Sequence, residues 1–134
     1  MVSLTDEMMK EIENMGIYAI ATASKGGVPN VVPIGMVIPK GNDKFWVIDN
    51  YMDKTIKNVK ENPVVAFYVW NKDGKIAFQV KCDAKVENTG ADYEEAKAFA
   101  KKKRETLPAK NLIKLKIREV YSVSPGPDAG KKLL

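Results

Sequence analysis

The segment with the clearest potential for chemistry is residues 49–58, where a predicted strand ends and a predicted helix begins. Free backbone N–H groups at the start of a helix attract anions. Lys54 adds a positive charge there, Thr55 adds a hydroxyl donor, and Asn58 lies one turn further on the same face. Asp53 is the expected N-cap. These groups suit a phosphate, although a capped surface helix with an exposed lysine explains them equally well.

A second segment, Val32, Pro33, Ile34 and Gly35, lies within a predicted strand at residues 31–38. Proline cannot donate to a sheet ladder, so this strand is expected at a sheet edge or bulged at Pro33. Gly35 carries no side chain, which allows a ligand to approach the backbone. The segment can therefore accept a flat ligand through backbone groups, and an edge strand protected by proline is the alternative interpretation.

The composition excludes several kinds of chemistry. The 134 residues contain no histidine, which removes Ser-His-Asp hydrolysis, histidine proton shuttles and most zinc sites. The single cysteine, Cys82, falls on the apolar face of its predicted strand, and an inert core thiol is expected. The carboxylates show no metal spacing, and no apolar run is long enough to span a membrane. We expect a cytoplasmic protein without a metal site, in which a bound cofactor supplies any reaction.

Period-2 and period-3.6 patterns give the elements that position these residues. Six strands are predicted at residues 17–23, 31–38, 45–48, 64–70, 76–87 and 112–123, and three helices at residues 5–15, 53–61 and 91–106. Most strands follow one another through short turns, which favours antiparallel pairing. Closure into a barrel would remove exposed edges. The expected fold is mainly β: a six-stranded antiparallel barrel forming a single domain over residues 1–134.

The order and the amino-acid sequences of four segments resemble those of the FMN-binding split-barrel group, the pyridoxamine 5'-phosphate oxidase-like proteins. The matching residues are Ala19-Ile20-Ala21-Thr22-Ala23, Val31-Val32-Pro33-Ile34, Asp53-Lys54-Thr55-Ile56-Lys57-Asn58-Val59 with Asn62-Pro63, and Gln79-Val80-Lys81-Cys82-Asp83-Ala84. The resemblance covers roughly residues 7–121, and small FMN-binding proteins are the most similar type.

This resemblance implies a split barrel that forms a homodimer with two FMN sites at the interface. The lysine and threonine at Lys54 and Thr55 would hold the phosphate, and the strand at residues 32–36 would lie against the flavin ring. The partner subunit would cover the ring, with Trp70, Tyr121 or the tail at residues 124–134 as candidates; we expect that tail to be extended or at the dimer interface. The implied cofactor-binding set is Val32, Pro33, Ile34, Gly35, Asp49, Asn50, Lys54, Thr55, Asn58 and Trp70.

The resemblance implies a flavoprotein oxidoreductase or electron-transfer protein with a small-molecule or protein redox partner. The basic and aromatic groups that true pyridoxamine-phosphate oxidases use for their substrate have no match here, so vitamin-B6 oxidation is not implied. Heme-handling members generally supply histidine, which this chain lacks. Two alternatives stay open: a protein that binds flavin or the deazaflavin F420 without turnover, and a barrel that binds nucleic acid through the basic run at residues 101–104 or through Lys114, Lys116 and Arg118.

Overall fold

Seven strands and three helices form within residues 2–134, the part of the chain that this computed structural model describes. In chain order they are α1 (Asp6–Met15), β1 (Tyr18–Ala23), β2 (Pro29–Ile34), β3 (Val37–Pro39), β4 (Lys44–Asp49), α2 (Lys54–Glu61), β5 (Val64–Val69), β6 (Phe78–Glu87), α3 (Ala91–Lys103) and β7 (Asn111–Ser122). None of these helices has the length and apolar content that a membrane crossing requires.

The strands form one sheet in the order β2-β1-β5-β6-β7-β4-β3, and every neighbouring pair is antiparallel. The alternation expected along β6 is present, because Phe78, Val80 and Cys82 are buried while Asp83 is exposed. A register shift against β7 at Lys81 and Cys82 marks a bulge, which bends the longest strand pair. The mainly antiparallel sheet is confirmed.

The single strand predicted at residues 31–38 is wrong, because Gly35 and Met36 divide it into β2 and β3. These two strands are the opposite edges of the sheet order. Three Cα–Cα steps of 3.8 Å keep Ile34 within about 11 Å of Val37, so the edges must approach each other. The sheet therefore curls into a barrel that is open between its edges, and the expected six strands become seven.

The prolines of β2 are accommodated by its position at the edge. β2 pairs with β1 alone, in a continuous register from Tyr18↔Ile34 to Ala23↔Pro29 with no shift at Pro33. An edge strand needs N–H donors on one side only, so Pro29 and Pro33 cost no ladder hydrogen bond when their nitrogens face outwards. The sequence allows either an edge strand or a bulge at Pro33, and the structure has the edge strand.

Two buried clusters lie on the two sides of β4. Phe45 and Val47 point into the barrel, where Phe45 meets Phe67 edge-on at 5.3 Å between ring centroids. Trp46 and Ile48 point outwards and pack against Ala96 and Ala100 of α3 in a second cluster. Because β4 is apolar on both faces, α3 is held over its outer side. This packing brings the C-terminal end of α3 to the same edge of the barrel as the gap between β2 and β3.

The turn between β5 and β6 is fixed to α1 by the Glu11 carboxylate. Asn71 Nδ2 donates to Glu11 Oε1 at 2.9 Å, and the Lys75 N–H donates to Oε2 at 3.1 Å. A Cβ at Gly74 would lie 2.5 Å from Oε1, so the turn needs a glycine where the carboxylate enters. The hydrogen bond from Asn71, followed by that from Lys75, lowers the pKa of the Glu11 carboxyl below its ordinary value.

Glu11→Gln is expected to lower the melting temperature by several degrees at neutral pH, because an amide presents a donor to groups that are themselves donors. The lowered pKa means that the carboxylate stabilises the folded state above its unfolded-state pKa, and that this stabilisation is lost as the pH falls through the folded-state pKa. The difference in melting temperature between wild type and variant should therefore disappear in acid. Thermal melts across pH measure it, with exposed Glu13→Gln as the control; a gap that is independent of pH would contradict the assignment.

Candidate functional site

A cleft of about 950 Å³ lies where the two sheet edges meet. Its walls come from β2, β3, the loop between β4 and α2, the first turn of α2 and the last turn of α3. Its volume falls within the range of small-molecule and cofactor pockets, roughly 300 to 1,000 Å³. Three cationic side chains line it against two carboxylates, those of Glu13 and Asp53. The site therefore favours an anionic ligand.

The N-terminus of α2 opens onto this cleft with its first turn uncapped. Asp53 occupies the N-cap position, as expected, but its side chain makes no capping hydrogen bond. The first N–H groups of a helix have no intrahelical acceptor, and Asp53, Lys54 and Thr55 all line the cleft. Within residues 2–134 no carboxylate forms an ion pair with Lys54. The arrangement has the donors and the charge that a phosphate needs.

A chain of side-chain hydrogen bonds fixes Thr55. Asn30 Nδ2 donates to Thr55 Oγ1 at 3.1 Å and to Thr22 Oγ1 at 3.2 Å, and Asn58 Nδ2 donates to Thr22 Oγ1 at 3.1 Å. Thr55 Oγ1 is thus an acceptor on its protein side, which leaves its own hydrogen to donate into the cleft. Asn58 is buried and does not line the cleft. Its role in the structure is to dock α2 on β1.

Asp49 and Asn50 hold the loop that leads into α2. Asp49 is fully buried, and its Oδ1 accepts from the Met52 N–H at 2.9 Å while its Oδ2 accepts from Asn111 Nδ2 at 2.8 Å. Asn50 lines the cleft, and its Oδ1 accepts from the Ala109 N–H at 3.0 Å. Asp49 therefore lies beneath the loop that it positions, and only Asn50 of this pair is open to a ligand.

The β2 segment forms one wall of the cleft. Val32, Pro33, Ile34 and Gly35 all line it, together with Met36. A Cβ built on Gly35 would meet no atom within 4 Å, so the missing side chain leaves open space beside the backbone. Because β2 is an edge strand, it has backbone groups without a partner strand on one side, so this wall offers a flat ligand both apolar side chains and backbone contacts.

Trp70 lies away from the cleft. It is 55% exposed at the end of β5 and does not line the cleft. Tyr121 is also remote, with its hydroxyl donating to Glu119 at 2.6 Å. Cys82 is inaccessible, and burial raises the pKa of its thiol to about 12, as befits an inert core residue. The structure therefore brings together seven of the ten expected cofactor-binding residues: Val32, Pro33, Ile34, Gly35, Asn50, Lys54 and Thr55.

Sequence reasoning missed the residues that α3 and the β4–α2 loop contribute. Phe99, Lys103 and Arg104 line the cleft from α3, and Tyr51 does so from the loop. The sequence showed the charge run at residues 101–104 but gave no sign of where the end of that helix lies. The outward apolar residues of β4 were the available signal, because a strand that is apolar on both faces requires a covering helix.

Two of the three β7 cations that the nucleic-acid alternative needs are paired with carboxylates. Lys114 Nζ lies 2.7 Å from Asp92 Oδ2 and 3.4 Å from Glu87 Oε2, and the hydrogen bond to Asp92 raises the pKa of Lys114. Arg118 pairs with Asp83. The aromatic residues Trp46 and Phe67 belong to the core. Of the three cations, Lys116 alone is exposed and forms no ion pair within residues 2–134, so the strand offers one free cation where a groove for single-stranded nucleic acid uses several together with exposed rings.

Comparison with known proteins identifies the family of this chain. A family model described as pyridoxamine 5'-phosphate oxidase matches residues 4–124. The uncharacterized protein MJ0282 of Methanocaldococcus jannaschii is 41% identical over 133 residues, 97% of this chain and 87% of that protein.

Solved structures show the same fold. HupZ of Group A Streptococcus superposes with a TM-score of 0.81 at 23% identity, over 95% of this chain and 99% of that one. An FMN-binding protein from Syntrophomonas wolfei has a TM-score of 0.66 at 20% identity, over 85% and 81% of the two chains. HutZ, the heme storage protein from Vibrio cholerae, has a TM-score of 0.68 at 15% identity, over 90% and 95%. The fold is the split barrel, and with a family model over most of its length the chain belongs to the pyridoxamine 5'-phosphate oxidase-like family.

Proposed function

We propose that this protein binds FMN in the cleft and acts as a flavoprotein oxidoreductase or electron-transfer protein. One observation carries the proposal: the uncapped N-terminus of α2 opens onto a large cleft beside the charge of Lys54 and the hydroxyl of Thr55. From Asn30, which bonds to Thr55, β2 runs along a wall of the cleft to the open space at Gly35. A phosphate site at one end and a flat apolar wall at the other match the phosphate and the flavin ring of FMN.

The phosphate end depends on groups that the fold holds in place. Lys54 supplies the full charge, and Thr55 supplies a hydroxyl donor whose oxygen is fixed by Asn30 at 3.1 Å. The free N–H groups of the first turn of α2 add directed donors and the positive end of the helix dipole. Charge-assisted hydrogen bonds of this kind are the strong ones in proteins, so most of the binding specificity is expected here.

The ring end depends on shape and burial. Val32, Ile34 and Met36 give apolar surface, and the backbone of β2 next to Gly35 offers donors and acceptors without a side chain in the way. FMN, when bound, supplies the transfer of a hydride or of single electrons. The residues of this chain bind it, orient it and exclude water, and none of them is assigned a catalytic role.

The structural neighbours include an FMN-binding protein and a heme storage protein, and the composition of this chain favours FMN. Heme iron is usually held by histidine, cysteine thiolate, methionine or tyrosine. Of these, the chain has no histidine and its cysteine is buried with a raised pKa, which leaves only methionine and tyrosine side chains such as Met36 and Tyr51 at the cleft. The α2 site, in contrast, has donors and charge that heme iron does not use. The missing histidine and the phosphate-binding groups at α2 together support FMN over heme.

We further propose that two copies pair through the uncovered outer face of β2, β1 and β5. Small half-buried residues Ala21 and Ala66 face each other there, and beside them Val31 is 64% exposed and Tyr68 44% exposed. Exposed apolar area of this kind is typical of an interface. β2 borders both this face and the cleft, so a partner on the face would reach the bound cofactor and could cover it with Trp70 or the tail at residues 124–134.

Replacing both phosphate ligands tests the cofactor. The variant with Lys54→Ala and Thr55→Ala is expected to bind FMN more than about tenfold more weakly, because two charge-assisted or directed contacts are lost. Flavin fluorescence quenching on titration measures the affinity. Lys60→Ala, which removes an exposed charge from the other end of α2, is the control and should stay near wild type. Unchanged affinity in the double variant would contradict the proposed site.

A carboxylate in the outer face tests the dimer. The wild-type protein is expected to sediment as a dimer at micromolar concentration, and Val31→Glu is expected to raise the dimer dissociation constant about tenfold or more, because an unpaired charge must be desolvated in the interface. Ala98→Glu, on the exposed side of α3, introduces the same charge as a control. A monomeric wild type, or dimers of equal strength in both variants, would refute this assembly.

A further inference from the structure

Exposed cations surround the mouth of the cleft and are free of ion pairs. Lys103 and Arg104 line the cleft at the end of α3, and Lys102 is exposed beside them. Lys110 is exposed on the adjoining loop, where its N–H donates to the Asp49 carbonyl at 2.8 Å. We call Lys54, Lys102, Lys103, Arg104 and Lys110 the basic rim.

The members of the rim are unpaired, as are other surface lysines such as Lys116, whereas several basic groups elsewhere are held by carboxylates. Lys40, Lys114 and Arg118 are each paired with a carboxylate at 3.6 Å or less. Within residues 2–134, no ion pair involves any member of the rim. Unpaired surface charges raise the local potential and steer oppositely charged partners. The rim is therefore a cluster of unpaired positive charge at the mouth of the cleft, in a chain with a net charge of +5.

The rim extends beyond what a cofactor or a small substrate would use. One phosphate is satisfied by the first turn of α2 with Lys54 and Thr55, which leaves the α3 cations without a role in that contact. Lys102 and Lys110 do not line the cleft at all. A ligand small enough to enter the cleft would not reach them, whereas a macromolecule seated over the mouth would.

Carboxylates are interspersed with these cations. Glu13 and Asp53 line the cleft, and Glu105 follows Arg104 on the surface. A phosphate backbone is uniformly negative and would be repelled at these points. A protein surface can match a mixed pattern charge by charge, which is how electrostatic complementarity gives specificity. The pattern favours an acidic protein over a nucleic acid.

We infer that the basic rim docks an acidic electron-carrier protein over the mouth of the cleft. The inference rests on the proposed function, because a carrier protein has a reason to dock there only if the cleft holds a redox cofactor. It names the kind of partner: a protein with a carboxylate-rich patch around its own redox centre, bound weakly and in a salt-dependent way.

The test measures binding of an oxidised plant-type [2Fe–2S] ferredoxin, an acidic carrier, by calorimetry at low ionic strength. Wild type is expected to bind it and to lose affinity as salt is added. The variant with Lys102→Ala and Lys110→Ala, which leaves the cleft lining intact, is expected to bind about fivefold more weakly. The control variant with Lys25→Ala and Lys72→Ala loses two exposed charges from other turns and should bind like wild type.

Three results would overturn the inference: no ferredoxin binding by the wild type, equal weakening in both double variants, or tighter binding of a single-stranded oligonucleotide than of ferredoxin. Repeating the titration with and without added FMN separates the two proposals. If the protein takes up no FMN but ferredoxin binding still depends on Lys102 and Lys110, the docking surface stands and the flavin function falls. If FMN binds and ferredoxin does not, the flavin function stands and the docking surface falls.

Discussion

The two residues Gly35 and Met36 impose the constraint on which the rest of the structure depends. They connect β2, at one edge of the sheet, to β3, at the other edge, so the sheet cannot lie flat. The Val37 N–H bonds back to the Gly35 carbonyl at 3.1 Å, and the Met36 carbonyl accepts from the Ile48 N–H at 3.2 Å. The chain thus enters the second edge immediately after leaving the first. The opening that remains between the two edges is the cleft.

The elements around this opening are held by buried groups rather than by the cleft residues themselves. Thr22 and Asn58 fix α2 to the barrel, and Asp49 fixes the loop before it. Trp46 and Ile48 hold α3 on the outer side of β4. Thr55 and Asn50 are therefore held in place without a ligand, and a preorganised site loses less entropy on binding.

Local patterns in the sequence predict most of the elements, because each depends on neighbours in the chain. The alternation along β6 and the apolar stripe of α1 are examples. The division of residues 31–38 could not be predicted in this way, since Gly35 and Met36 serve a closure that only the whole sheet defines. For the same reason the burial of Asp49 and Asn58 and the placement of Phe99, Lys103 and Arg104 at the cleft depend on long-range packing. The position of Lys54 and Thr55 at the start of a helix could be predicted, because a strand end followed by a helix start is a local feature.

The most direct test of the central claim is the visible absorption spectrum of the purified protein after incubation with FMN and removal of the free cofactor. The account predicts the two flavin bands, at about one FMN for each chain, with a dissociation constant in the micromolar range or below. A spectrum without flavin bands would contradict it, and so would a heme spectrum from protein that does not retain FMN.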